Sequence, residues 1–171
     1  MWERWDGKTE NGYYEPGMNS FNHANLGTCT EWFYRTVLGI DSQGPGFQSI
    51  IIKPVPGGGL TWAKGHYDSP HGRIAVAWSS DGRWFDLKVS VPANTTALVF
   101  LPAADASAVQ ESGKRAAACE GVTFVRVEGG NAVFSVGSGD DDFRAGQGRW
   151  GIAWKPFGRR SSVGDATKGV P

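Results

Sequence analysis

The chain has 171 residues, with 17 basic and 17 acidic side chains and a formal net charge of zero. Phosphate backbones and anionic membrane surfaces both select a basic face, so this balance speaks against nucleic-acid and membrane partners. The length allows one hydrophobic core with a small appendage, and no apolar run approaches the roughly 20 residues of a membrane span.

In chain order, residues 1–19 lack periodicity. They run through Gly7, Gly12, Pro16 and Gly17 with Tyr13 and Tyr14 between, the pattern of a long ordered loop of the kind that carries function. Its opening is dense: Trp2 and Trp5 stand beside Glu3, Arg4 and Asp6, a polar-aromatic cluster costly to bury without a purpose. No charged-then-apolar leader precedes it, which implies a cytoplasmic protein if Met1 is the natural start and leaves localisation open otherwise.

Residues 20–38 predict one helix, with Ser20 as the capping residue. Phe21, Leu26, Cys29, Phe33, Val37 and Leu38 recur at near-helical spacing, flanked by Trp32, and form an apolar stripe broad enough to expect a partner surface. Glu31 and Arg35, four apart, pair on the outer face, and Gly39 stops the helix.

Residues 41–47 read as a turn-rich link, after which the period changes to that of strands. Strands are expected at 48–53, 60–67, 73–79, 84–91, 95–101, 109–111, 122–127 and 132–136. Turn signals separate them, among them Asp81-Gly82, which supplies the positive φ of a tight hairpin, and Glu128-Gly129-Gly130-Asn131. The acidic run Asp140–Asp142 reads as a solvated loop, since three adjacent acids do not make a calcium site. Residues 149–155 are read as a further strand and 158–171 as a disordered tail. The expected fold is mainly β: an antiparallel sandwich preceded by a loop and one α-helix.

Chemistry-bearing patterns are few. Cys29 and Cys119 read as free thiols, too few for a disulfide framework or a zinc site. No phosphate loop, paired-cysteine metal motif or nucleophile elbow is present, so no cofactor and no metal is expected. Eight tryptophans leave two readings open: core packing, or stacking on the C–H face of a sugar. On residues alone, Glu3 is a solvated carboxylate and His23 a capping or packing histidine. His66 and His71 read as structural or exposed.

Three stretches together resemble glycoside hydrolase family 78, the bacterial α-L-rhamnosidases: Trp2-Glu3-Arg4-Trp5-Asp6-Gly7, then Gly17-Met18-Asn19-Ser20-Phe21-Asn22-His23, then Ile50-Ile51-Ile52-Lys53-Pro54 with Pro56 to Ala63 and Tyr67-Asp68-Ser69-Pro70-His71-Gly72. Pro92 to Ala97 and Val136 to Gly139 continue the match, which runs over about residues 1–143. The resemblance implies that residues 1–40 are the last loop and helix of a catalytic (α/α)6 toroid and that residues 45–157 are a C-terminal β-sandwich. It implies an inverting mechanism in which Glu3 is the general base, His23 contacts the sugar, and Trp2 and Trp5 shape the pocket. His23 is followed by Ala24 and Asn25, where the family commonly carries an aromatic residue.

Three functions remain in view. The first is the C-terminal part of an inverting rhamnosidase acting on rhamnosylated carbohydrate, inactive alone because one carboxylate lacks its partner acid. The second is a stand-alone carbohydrate-binding sandwich. The third is a non-enzymatic homo-oligomer assembled through the 20–38 helix, whose stripe would otherwise face water.

Overall fold

The computed structural model describes residues 8–13 and 20–146. The expected strand at 149–155 and the tail at 158–171 lie outside the described residues. In chain order, β1 (Lys8–Thr9) and β2 (Gly12–Tyr13) form a small antiparallel hairpin. Two single-turn helices follow, α1 (Ala24–Gly27) and α2 (Cys29–Trp32), and α2 runs directly into a π-helical segment, Phe33–Leu38. No helix among the described residues is long and apolar enough to cross a membrane.

The helical region was expected as one helix from Ser20. It starts at Ala24 instead and is interrupted at Thr28. The Thr28 hydroxyl donates to the carbonyl of Asn25 at 2.8 Å, a local bond that competes with helix continuation. Gly27 beside it is a poor helix former. The stop is as expected: Gly39 adopts φ 75°, ψ 15°, the left-handed conformation favourable for glycine at a helix end.

Eleven strands, β3 to β13, then form two sheets. The five-stranded sheet contains β3 (Ile40–Ser42), β4 (Ser49–Ile52), β8 (Thr96–Leu101), β11 (Val122–Glu128) and β12 (Asn131–Val136), in the order β11-β12-β8-β4-β3. The six-stranded sheet contains β5 (Trp62–Ser69), β6 (Gly72–Ser80), β7 (Trp84–Val91), β9 (Val109–Glu111), β10 (Lys114–Arg115) and β13 (Gly139–Gly146), in the order β10-β9-β13-β7-β6-β5. All pairings are antiparallel except β4 with β8, where Ser49 to Ile52 run alongside Thr96 to Val99.

Alternation places one face of each strand inward. Ile74, Val76 and Trp78 of β6 and Phe85, Leu87, Val89 and Val91 of β7 are buried, and they share one cluster with Ile50, Ile52, Val99, Leu101 and Phe134 of the other sheet. Phe134 and Phe143, one from each sheet, meet with ring centroids 6.3 Å apart. The two layers thus close over a single core, as a mainly β chain of this length requires.

The Asp81-Gly82 turn forms as expected. Gly82 takes φ 84°, and the Asp81 carboxylate accepts the backbone N–H of Arg83 at 2.8 Å and of Trp84 at 2.6 Å. The acidic run at 140–142 is not a loop but part of β13, paired along β7. Its alternation is hidden because all three positions carry the same side chain: Asp142 points outward and reaches Lys88 at 3.1 Å, while Asp141 is half-buried.

Candidate functional site

The structure gives the 20–38 helical region a firm base and an open outer face. At its C-terminal end Val37 and Leu38 are buried in the core. The last turn of any helix leaves carbonyls without intrahelical partners, and here the sandwich supplies them. Trp78 Nε1 donates to the Val37 carbonyl at 2.7 Å, Val55 N–H to Thr36 at 2.9 Å and Lys53 N–H to Gly39 at 2.8 Å. Leu38 lies against Gly65, where an added Cβ would come within 2.6 Å of Leu38 Cδ1.

One turn earlier the character reverses. Trp32 and Phe33 are each 54% exposed, and Tyr34 and Cys29 are exposed beside them. Trp32 and Phe33 touch edge to face at 5.4 Å. Of the stripe inferred from spacing, Val37 and Leu38 reach the core, whereas Cys29 and Phe33 face outward.

Of the four candidate site residues, Glu3, Trp2 and Trp5 lie outside the described residues. His23 is half-buried and immediately precedes α1, with extended backbone (φ -79°, ψ 105°). Its carbonyl accepts the N–H of Gly27 at 3.2 Å, and its side chain makes no capping bond to the helix. The expected Glu31–Arg35 pair forms at 2.9 Å. His66 Nε2 is 4.0 Å from Asp68 Oδ2 on the outer face of β5, and His71 is exposed at the β5–β6 turn.

Both cysteines are free thiols. Burial, reinforced by Glu111, pushes the Cys119 thiol above its usual pKa, so it is not an activated nucleophile. Burial first, then the neighbouring Glu111 and Asp140, raises the Asp141 carboxyl above the usual carboxylate range. Among the described residues no group of three or more His, Cys, Asp or Glu side chains is arranged to hold a metal ion.

Sequence reasoning missed one polar-aromatic recess, which lies where the helical region, β3 and β5 meet. Tyr34, Phe47 and Tyr67 line it, with ring centroids 6.1 Å apart for Tyr34–Tyr67 and 4.7 Å for Phe47–Tyr67. Arg35 extends the wall, its Nε 2.9 Å from Glu31 and its Nη1 3.4 Å from Asp41. Tyr34 and Arg35 share the helical segment, but Asp41, Phe47 and Tyr67 come from other elements, and no periodicity connects those to it. The only local signal was the Gly44-Pro45-Gly46-Phe47 run, a tight-turn sequence.

Comparison with known proteins gives a consistent pattern. Residues 39–116 match the model described as bacterial alpha-L-rhamnosidase C-terminal domain, and residues 1–37 match the bacterial alpha-L-rhamnosidase 6 hairpin glycosidase domain. An alpha-L-rhamnosidase of Streptomyces avermitilis is 42% identical over 144 residues, 84% of this chain and 13% of that protein. One from an Alteromonas species is 42% identical over 109 residues, 63% of this chain and 12% of that protein. Among solved structures, the Streptomyces avermitilis alpha-L-rhamnosidase complexed with L-rhamnose aligns with TM-score 0.67 at 41% identity, covering 85% of this chain and 13% of that one. An alpha-L-rhamnosidase from Dictyoglomus thermophilum aligns with TM-score 0.66 at 29% identity, covering 86% and 16% respectively. The chain thus spans about 13% of the length of the Streptomyces avermitilis relative.

Proposed function

The chain belongs to the bacterial α-L-rhamnosidases, corresponding to their C-terminal part, and on that premise we propose that it serves an inverting hydrolysis of terminal α-L-rhamnosides. In this reading residues 1–40 belong to the catalytic toroid and residues 45–157 to the sandwich behind it. The observation that carries the proposal is the position of the seam. The two family matches meet between residues 37 and 39, where Gly39 ends the helical region and the first strand of the five-stranded sheet begins.

In the proposed chemistry Glu3 is the general base that draws a proton from the attacking water. Trp2 and Trp5 wall the pocket and keep it dry, which raises the basicity of the carboxylate. His23 contacts a sugar hydroxyl, because an imidazole both donates and accepts.

An inverting hydrolase needs a second carboxyl group, a general acid roughly 6.5–9.5 Å from the base across the sugar. The catalytic-domain match covers residues 1–37, and by resemblance Glu3 is the single catalytic carboxylate that this segment supplies. We therefore expect the 171-residue chain to be inactive by itself. Incubation with an aryl α-L-rhamnoside should release no aryl alcohol above background. Robust turnover lost on Glu3→Gln would overturn the reading.

The exposed pair Trp32 and Phe33 favours an accompanying role in assembly. An apolar stripe anchored at one end and open at the other is a packing face. In the isolated chain, we propose, a second copy covers it and the protein is a homo-oligomer.

A further inference from the structure

We infer that the recess between the helical region, β3 and β5 is a secondary subsite for a neutral pyranose, separate from the proposed hydrolytic site. Its volume is about 300 Å³. One wall is aromatic: Tyr34 and Phe47, each with its ring against Tyr67. The other wall is polar, the Arg35 guanidinium held between the carboxylates of Glu31 and Asp41. An apolar ring surface facing fixed donors and acceptors matches a pyranose, whose C–H face is apolar and whose edge carries hydroxyls.

Both walls are held in place. Asp41 Oδ1 accepts the backbone N–H of Ser42 at 2.8 Å, which orients that carboxylate while Oδ2 faces Arg35. Phe47 has φ 60° and follows Gly46 at φ 78°. Two successive left-handed residues are costly unless the surroundings demand them, especially where the second is bulky. Here they bring the Phe47 ring against Tyr67.

Charge narrows the ligand class. One cation stands against two carboxylates, so an anionic sugar such as a uronate is disfavoured relative to a neutral one. His23 lies about three turns away along the helical region. The choice of a rhamnoside as the first probe rests on the rhamnosidase reading; the aromatic and polar walls select a neutral pyranose without it.

The test uses the full chain, isotope-labelled, titrated with methyl α-L-rhamnopyranoside, methyl glucoside and glucuronate. Saturation transfer to the neutral glycosides is expected at millimolar sugar, with amide shifts clustered at Tyr34, Arg35, Asp41 and Phe47 and little response to glucuronate. Tyr34→Ala and Arg35→Gln should each weaken transfer several-fold, and Glu3→Gln and His23→Ala should leave it in place. Shift mapping needs no variant, so an unstable substitution does not block the test. Absence of saturation transfer to both neutral glycosides, or shifts confined to residues around His23, would overturn the inference. Because binding is read directly, its failure leaves the hydrolytic proposal standing. Binding of methyl glucoside but not the rhamnoside would uphold the subsite while counting against the rhamnoside assignment.

Discussion

The indole N–H of Trp78 donates to the backbone carbonyl of Val37 at 2.7 Å, joining the six-stranded sheet, at the strand beside its β5 edge, to the last turn of the helical region. Trp78 is buried and stacks on Phe85 at 6.0 Å. The bond satisfies a carbonyl that the helix end leaves open, and it does so away from water. It makes the helical segment part of the sandwich's own core.

Trp78→Phe should therefore destabilise the fold. It leaves the Val37 carbonyl buried without its donor, a cost of about 1–3 kcal/mol, and opens a small cavity in addition. The midpoint of urea unfolding should fall measurably. An unchanged midpoint would mean that the helix end is not held by this bond.

Gly39→Ala should be far more damaging than Gly82→Ala, although both glycines have positive φ. A Cβ at Gly39 would lie 2.1 Å from Pro54 N and 2.2 Å from the Lys53 carbonyl carbon, backbone atoms that cannot yield. At Gly82 nothing lies within 4 Å. The turn variant should lose about 1 kcal/mol from left-handed strain, and the Gly39 variant about 4 kcal/mol or more, or fail to fold. Comparable midpoints for the two in urea would contradict this packing at the seam.

Asp81 and Asp141 should respond oppositely to pH. The backbone N–H groups of Trp84 and Arg83 hold the Asp81 carboxyl below its ordinary range. Its stabilising contribution is present above the unfolded-state pKa and is lost as pH falls through the lower folded value. Burial raises Asp141, so the fold is favoured while that group is protonated and loses this advantage as pH rises through the folded value. Asp81→Ala should lower Tm at neutral pH and less so in acid. Asp141→Asn should raise Tm at neutral pH, with the gain shrinking in acid. The same sign for both variants at neutral pH would refute the assignment.

The open face at Trp32 and Phe33 should govern association. Sedimentation of the wild-type chain should show a concentration-dependent oligomer, and replacing both residues with Glu should yield a monomer with unchanged circular dichroism. A wild-type monomer at high concentration would remove the assembly role.

Much of the sandwich was legible because its strands announce themselves. Trp84–Val91 alternates cleanly between two turn signals, and the strand has those bounds. The interruption at Thr28 was not legible, since the apolar spacing runs through it, while the features that accompany it, Gly27 and the Thr28 hydroxyl bond to Asn25, are local. The strand Ile40–Ser42 was hidden in a turn-rich link because it is three residues long and forms only by pairing with Ser49–Ile52. The parallel pairing of β4 with β8 joins residues almost fifty positions apart, a relationship that periodicity does not encode. The recess at Tyr34, Phe47 and Tyr67 was missed for the same reason. Glu3 and His23 came from motif resemblance rather than from spacing.

The role proposed for Glu3 is tested most directly in a chimera. The C-terminal segment of the Streptomyces avermitilis relative would be exchanged for this chain along the 144-residue match. The account predicts that the chimera hydrolyses an aryl α-L-rhamnoside and that Glu3→Gln lowers its kcat by about 10²–10⁴-fold. A chimera that turns over equally well with Gln at that position would contradict it.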